Sequence, residues 1–279
     1  MQPGFARYSR VGHRRVHGWV VPGTLQLVAA LSQEQVRRGV AGGIVEIGVH
    51  HGRLLIGLHL MREDGDQTVA IDLFEDQAAN VFRSGLGDEA ALRRNLARHG
   101  GGADATKIVR ADSTEFDGDA VKAIAGGPVR LFSVDGGHTA EIVAHDMATA
   151  ADSLAAGGIV IADDVFHERW PGVYEGTLRF LDKNDELVPF AIGFNKTLFT
   201  TRADSARYRE VVADVARRHV WKCKTTVMHG EPVTVAWVPR VRERSRLAAK
   251  RLLRRRLPPP SAFEGWRPTD KQYTAKPVR

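Results

Sequence analysis

The sequence predicts an α/β fold built on a mostly parallel, doubly wound sheet, and three observations predict it. From Gly43 onward, short apolar runs alternate with helical segments, which is the signature of strands joined by helical crossovers. Consecutive runs end in Asp or Gly, where such sheets carry their ligands. A composition of 43% hydrophobic and 26% charged residues supports a large core, with no need of disulfides or a structural metal.

In order, Thr24 to Arg38 reads as a helix with Thr24 as N-cap, leucines at 25, 27 and 31, and Gly39 as the stop. The residues before it read as irregular. Ile44 to Ile47 is a strand, Arg53 to Met61 a helix, and Thr68 to Ile71 a second strand closed by Asp72. Asp88 to Arg98 reads as a helix stopped by Gly100-Gly101-Gly102. Lys107 to Val109 and Val129 to Val134 are the third and fourth strands. Thr139 caps a helix running to Ala156 and terminated by Gly157-Gly158; Ile159 to Ala162 is the fifth strand, and Gly172 to Leu181 is helical. Pro189 to Thr201 and Cys223 to Val238 read as two long strands flanking a helix from Ser205 to His219, with a turn marked by Gly230-Glu231-Pro232. The count is seven strands.

Charge divides the chain. Its net +7 comes from 40 basic and 33 acidic residues. Residues 239–279 hold 13 of the basic and 3 of the acidic ones, so this tail is +10 and the rest is −3. Whole-chain basicity would suggest a nucleic-acid binder; its confinement to a tail argues against that. A single cysteine, Cys223, excludes an internal disulfide framework and a multi-cysteine zinc site. The N-terminus has no apolar signal region and no run approaches a bilayer span, so a cytoplasmic protein is expected. Three divisions follow: 1–40, an N-terminal helical extension or lid; 41–238, the main domain; and 239–279, the basic tail.

The first strand end reads Glu46-Ile47-Gly48-Val49-His50-His51-Gly52. Two glycines four apart at a strand-to-helix turn allow close backbone approach to a ligand, with helical N–H groups behind. An acidic residue followed by GxxxG resembles motif I of class I S-adenosylmethionine (SAM) methyltransferases, and a tight β–α turn that only packs is the alternative. Asp72 stands where a carboxylate can accept both hydroxyls of a ribose. Asp112 and Ser113 follow the third strand, where related methyltransferases contact the adenine amino group. His50 and His51 read as packing or surface residues.

Asp135 ends the fourth strand, completing the cofactor-facing strand ends, and Asp163-Asp164 end the fifth. Three converging carboxylates require a cation or protons. All-oxygen ligation suits Mg²⁺, with Mn²⁺ or Ca²⁺ as substitutes. A lone Asp-Asp pair would instead be a solvated turn and helix cap. His138, three residues after Asp135, could take the proton of an acceptor hydroxyl, cap the following helix or order a metal-bound water. His145 and His167 are further, unspecific candidates.

Together these residues resemble the metal-dependent O-methyltransferases of the macrocin and mycinamicin type, which methylate sugar hydroxyls in natural products. The likeness covers about residues 40 to 200 and centres on FSVDGGHTAEIVAHDMATAADSLAAGGIVIADDVFHERWPGV. It implies a Rossmann-like class I methyltransferase fold, SAM as cofactor, Asp135, Asp163 and Asp164 as metal ligands and His138 as general base. Some relatives assign the base two residues after the first ligand, where this chain has Gly137. Cephalosporin-hydroxylase-like proteins share the pattern, which leaves the acceptor chemistry more open than the fold. The acceptor implied is a sugar, glycoside or other hydroxylated small molecule. Phe74 to Gly87, the N-terminal residues and Phe166 to Trp170 are expected to cover its pocket, with Trp170 either stacked on a sugar face or wedged beneath the loop.

Arg240 to Leu257 carries Leu247, Leu252, Leu253 and Leu257 among nine basic residues. It reads as a basic amphipathic helix for an anionic membrane surface, a solvated helix or a disordered extension, ended by Pro258-Pro259-Pro260. The rival functions are an RNA methyltransferase using this tail and a non-catalytic SAM- or nucleotide-binding module. A homo-oligomer is left open.

Overall fold

The computed structural model describes residues 1–76, 80, 85–100 and 106–239. The tail and part of the Phe74–Gly87 segment lie outside the described residues, and with them the reading of a membrane-surface helix. Residues Met1–Val238 form one compact unit. Its strands are β1 (Gly43–Ile47), β2 (Thr68–Asp72), β3 (Thr106–Arg110), β4 (Val129–Val134), β5 (Leu154–Asp163), β6 (Leu187–Gly193), β7 (Lys196–Thr201), β8 (Lys222–Met228) and β9 (Glu231–Trp237). Its helices are α1 (Phe5–Arg10), α2 (Thr24–Arg37), α3 (Leu55–His59), α4 (Glu89–His99), α5 (Gly118–Ala125), α6 (Ala140–Ser153), α7 (Pro171–Leu181) and α8 (Arg202–Arg218).

The strands form one sheet in the order β3-β2-β1-β4-β5-β7-β6-β9-β8. The first five are mutually parallel, β7 is antiparallel to both β5 and β6, and β8 and β9 close the far edge as a hairpin. The chain winds outward from β1 to β3, then restarts at β4 on the other side of β1. The crevice at the carboxyl ends of β1 and β4 is therefore the topological switch point, where such sheets bind ligands.

Alternate strand residues feed two cores, as the pleat demands. Ile44, Leu131, Ile159 and Ile161 face α2, α3 and α8, packing with Leu31, Leu55 and Val212. Val45, Phe132, Val160 and Ala162 face α5, α6 and α7, packing with Val121, Met147 and Phe180. A polar staple crosses the first core. Arg130 of β4 is fully buried and donates from Nε to Asp66 (2.9 Å), from Nη1 to Ser32 and Gln35 of α2, and from Nη2 to the Met61 carbonyl.

The structure differs from the sequence expectations at five places. The sheet has nine strands, because each of the two long C-terminal runs is a hairpin. Phe194 and Asn195 both take positive φ (57° and 65°) and form the two-residue turn between β6 and β7. No glycine marks that turn, so the sequence reads through it. Thr24 is the first helical residue and not the N-cap; Gly23 caps α2 in the left-handed region, while the Thr24 hydroxyl donates back to Val21. Gly157-Gly158 do not end α6, which stops at Ser153; Gly157 (φ 77°) instead forms an irregularity inside β5, where its carbonyl accepts from Tyr208 and Gln35. The N-terminal residues are not irregular, since Phe5–Arg10 is helical with Tyr8 buried. Finally, α5 fills a stretch without a predicted element, held by an Asp117 cap and an Ala-rich apolar face.

Among the described residues, no helix is long and apolar enough to cross a membrane. Arg130→Met should destabilise the protein by about 3–5 kcal/mol in urea unfolding, because it leaves the Asp66 carboxylate buried without its partner. A loss below about 1 kcal/mol would show that the staple is dispensable.

Candidate active site

The carboxyl ends of β1 to β5, together with the β6–β7 turn, enclose a cavity of about 780 Å³, within the range of small-molecule sites. Its floor is set by one close approach. Gly48 (φ 78°) lies so near β4 that a Cβ there would stand 1.7 Å from the Asp135 carbonyl oxygen. The Asp135 N–H donates to the Ile47 carbonyl alongside (3.0 Å), joining the two strand ends.

The predicted cofactor residues divide into wall and support. Gly48, Asp72, Asp112, Ser113 and Asp135 line the cavity, whereas Glu46 and Gly52 do not. Glu46 is buried beneath it and accepts from Ser133 Oγ (3.3 Å). Burial pushes its carboxyl up to about 8 against the opposing pull of Lys196. Gly52 serves packing, because a Cβ there would meet Leu92 of α4 at 2.4 Å. The N–H groups of the β1–α3 turn are not held open for a ligand. Those of Val49 and His50 donate to Asp72 Oδ2 (2.6 and 2.7 Å), and Phe74 N–H donates to Asp72 Oδ1 (2.6 Å). Asp72 is thus the brace of the glycine turn as well as a wall residue, and burial raises its carboxyl despite those three donors. Ser113 donates to Asp146 of α6 (3.1 Å), a fully buried carboxylate that no local sequence pattern singles out. His145 pairs with the same Asp146 (3.5 Å) and does not line the cavity.

The acidic rim has a cation inside it. Lys196, buried in β7 opposite Asp163 in register, places its ammonium 2.5 Å from Asp163 Oδ2 and 3.6 Å from Asp135 Oδ2. Burial works against the charged amine, yet Asp163 and Asp135 outweigh it and hold Lys196 above its ordinary range. Burial and the Asp163 charge push the Asp135 carboxyl up, with Lys196 opposing. Asp163 Oδ1 accepts from Asp164 N–H and from Asn195 Nδ2 (both 2.9 Å), so both its oxygens are engaged.

Asp164 has φ 56° and turns its side chain toward His138, whose Nε2 is 3.5 Å from Asp164 Oδ2. Burial opposes its ionisation, but His138 and Asn195 hold its carboxyl below the usual range. The ligand atoms of Asp135, His138 and Asp164 lie within 4.8 Å of one another. The structure thus groups His138, not Asp163, with Asp135 and Asp164, although Asp163 lines the cavity as well. The His138 ring stacks on Trp170, with centroids 4.2 Å apart and planes at 28°. Pro171 opens α7 at its first turn, and Gly172 lets that turn approach the His138 carbonyl, which a Cβ would meet at 2.5 Å. The Pro-Gly pair therefore sets the imidazole and indole against each other. His167 and Arg169 also line the cavity.

Sequence reasoning missed Lys196, Asn195, Asp146 and Trp19, which lines the cavity though 71% exposed. The available signal for Lys196 was a lone ammonium inside an apolar run, a position that demands a buried anion.

With this geometry in place, comparisons with known proteins place the chain. A methyltransferase-domain family model matches residues 45–165. The O-methyltransferase NovP has a similar structure, with a TM-score of 0.53 and 18% identity over 65% of this chain and 81% of that one. The calicheamicin methyltransferase CalS11 has a TM-score of 0.50 and 19% identity over 64% of this chain and 79% of its own. Cofactor-bound Rv0187 from MTB has a TM-score of 0.50 and 18% identity, covering 72% of this chain and 91% of that one. No curated protein matches the chain in sequence. At these identities the structural likeness establishes the fold, and residues 45–165 match a methyltransferase-domain model. Fold and match together support a SAM-dependent methyltransferase.

Lys196→Met should destabilise the protein by about 3–5 kcal/mol, since it leaves the buried Asp163 carboxylate without its cation. Adding Asp163→Asn should recover part of that loss in a double-mutant cycle read by urea unfolding. Strict additivity of the two effects would show that the ion pair is uncoupled.

Proposed function

We propose that the enzyme is an O-methyltransferase that moves the methyl group of SAM onto a hydroxyl of a sugar or other hydroxylated small molecule, with His138 as general base and a divalent cation at the acidic rim. The observation that carries this reading is the His138 imidazole on the cavity wall, stacked on Trp170 and 3.5 Å from Asp164. NovP, an O-methyltransferase, and the calicheamicin methyltransferase CalS11 support it by their fold.

The cavity fits SAM by its volume and by the Gly48 approach, with Asp72 and Asp112-Ser113 positioned along the strand ends for ribose and adenine. When bound, SAM supplies a methyl on a sulfonium that departs as a neutral thioether. The donor set at the rim fits a hard divalent ion such as Mg²⁺, because Asp135 and Asp164 offer carboxylate oxygens into the cavity. Asp163 would join them through its remaining lone pairs. Such an ion would polarise the acceptor hydroxyl as a Lewis acid.

The chain's own residues do the rest. Trp170 fixes the plane of His138 and offers an apolar face for a sugar ring. His138 takes the hydroxyl proton as the oxygen attacks the methyl carbon, and the Asp164 carboxylate stabilises the imidazolium that forms. Trp19, Val21 and Trp170 offer apolar surface to the acceptor along the cavity wall. Lys196 holds Asp135 and Asp163 in place.

Labelled SAM, a panel of glycosides and mass-spectrometric detection of the methylated product test the reading. His138→Gln should lower kcat by about 10²–10⁴-fold while SAM binding by calorimetry is retained. Asp164→Asn and chelation by EDTA should each abolish turnover. Full activity of the chelated enzyme would refute the cation, and full activity of His138→Gln would refute the base.

A further inference from the structure

Three imidazoles meet at the cavity mouth, apart from the acidic rim. His17 comes from the N-terminal segment, while His50 and His51 come from the turn after β1. The His50 and His51 rings stack with centroids 4.0 Å apart and planes at 15°. The His17 ring lies 5.0 Å from His50 and 5.2 Å from His51. One ligand nitrogen from each of the three falls within 4.8 Å of the others.

His50 Nδ1 is buried and has no hydrogen-bond partner, and the residue occupies a left-handed conformation (φ 54°) that a β-carbon disfavours. Burial, then the neighbouring imidazoles of His51 and His17, push His50 down to about 4. Burial and His17 likewise push His51 down. Arg53 donates to the Gly18 carbonyl, which anchors the segment carrying His17 beside the turn.

We propose that His17, His50 and His51 form a second metal site, selective for a borderline divalent ion of the Zn²⁺ type. Three imidazole nitrogens favour Zn²⁺ or Co²⁺ over Mg²⁺, which prefers oxygen ligands such as those of the acidic rim. Three protein ligands with a fourth position open to solvent is an accepted zinc geometry. Its consequence is mechanical. His17 leads into Trp19 and Val21, which line the cavity, and the Trp19 ring lies 5.2 Å from that of His50, itself a lining residue. An ion held by all three ties the N-terminal segment to the glycine turn, over the cofactor end of the cavity.

The test uses the full chain stripped with a chelator and titrated with Co²⁺, read by visible absorption, and with Zn²⁺, read by calorimetry and thermal unfolding. The wild type should take up Zn²⁺ with a rise in Tm and give the intense absorption of a tetrahedral nitrogen-rich Co²⁺ site. His17→Ala should lose both signals; His17 is exposed, so this variant should keep its fold. His51→Gln should lose them as well. Asp164→Asn should keep them, which separates this site from the acidic rim and from the fate of the catalytic reading. Loss of the signals in Asp164→Asn with retention in His17→Ala would overturn the proposal. So would a wild type that shows neither signal.

Discussion

The site depends on one buried cation. Four carboxylates, Glu46, Asp135, Asp163 and Asp164, gather near the carboxyl ends of β1, β4 and β5, where the sheet topology forces a crevice. Left alone they would repel one another and destabilise the strand ends that carry them. Lys196 resolves this from the antiparallel strand β7, which enters the sheet beside β5 and sets the ammonium opposite Asp163. Glu46, farther down and deeply buried, is tuned toward its protonated form, so it adds little charge to the cluster. Asp135, Asp163 and Asp164 all line the cavity, but they are held differently: Asp163 is paired with Lys196 and engaged at both oxygens, Asp135 lies farther from the same ammonium, and Asp164 turns toward His138.

Backbone proximity is the second constraint, and it follows from the first five parallel strands. Ligand recognition at a switch point needs two strand ends close together, and glycine is the residue that allows it. At Gly48 a side chain would overlap the Asp135 carbonyl, and at Gly172 it would overlap the His138 carbonyl. These two glycines fix Asp135 and His138 from opposite sides. Asp72 braces the same region by accepting three backbone N–H groups, so the turn after β1 keeps its shape before any cofactor arrives. Preorganisation of this kind lowers the cost of aligning donor and acceptor in a methyl transfer.

Much of this was legible in the residues. The parallel half of the sheet was, because Val45, Ile71, Phe132 and Ile161 sit in short, mostly apolar runs of the kind a doubly covered strand carries. The acidic strand ends were too, since Asp72, Asp135 and Asp163-Asp164 each follow such a run directly. The antiparallel half was not. The turn at Phe194-Asn195 contains no glycine, so β6 and β7 merged into one strand and Lys196 disappeared into its interior. Gly157-Gly158 misled for the opposite reason: glycine signals a left-handed residue, and here that residue shapes a strand irregularity instead of ending a helix. Roles that arise only from tertiary pairing, such as Asp146 under Ser113 or Trp170 on His138, have no local pattern to betray them.

The charge of the chain acquires a different meaning in this light. A net +7 describes neither part of it, because the 238 residues before the tail carry a net −3, and part of that acidity lines the cavity. An acidic crevice suits the cationic sulfonium of SAM better than it suits an anionic ligand. Under the function proposed above, a divalent ion and an uncharged hydroxylated acceptor would meet in that same field, and His138 would gain its proton beside the Asp164 carboxylate. The charge that Lys196 balances within the protein and the charge left facing the cavity are thus two parts of one acidic strand-end cluster.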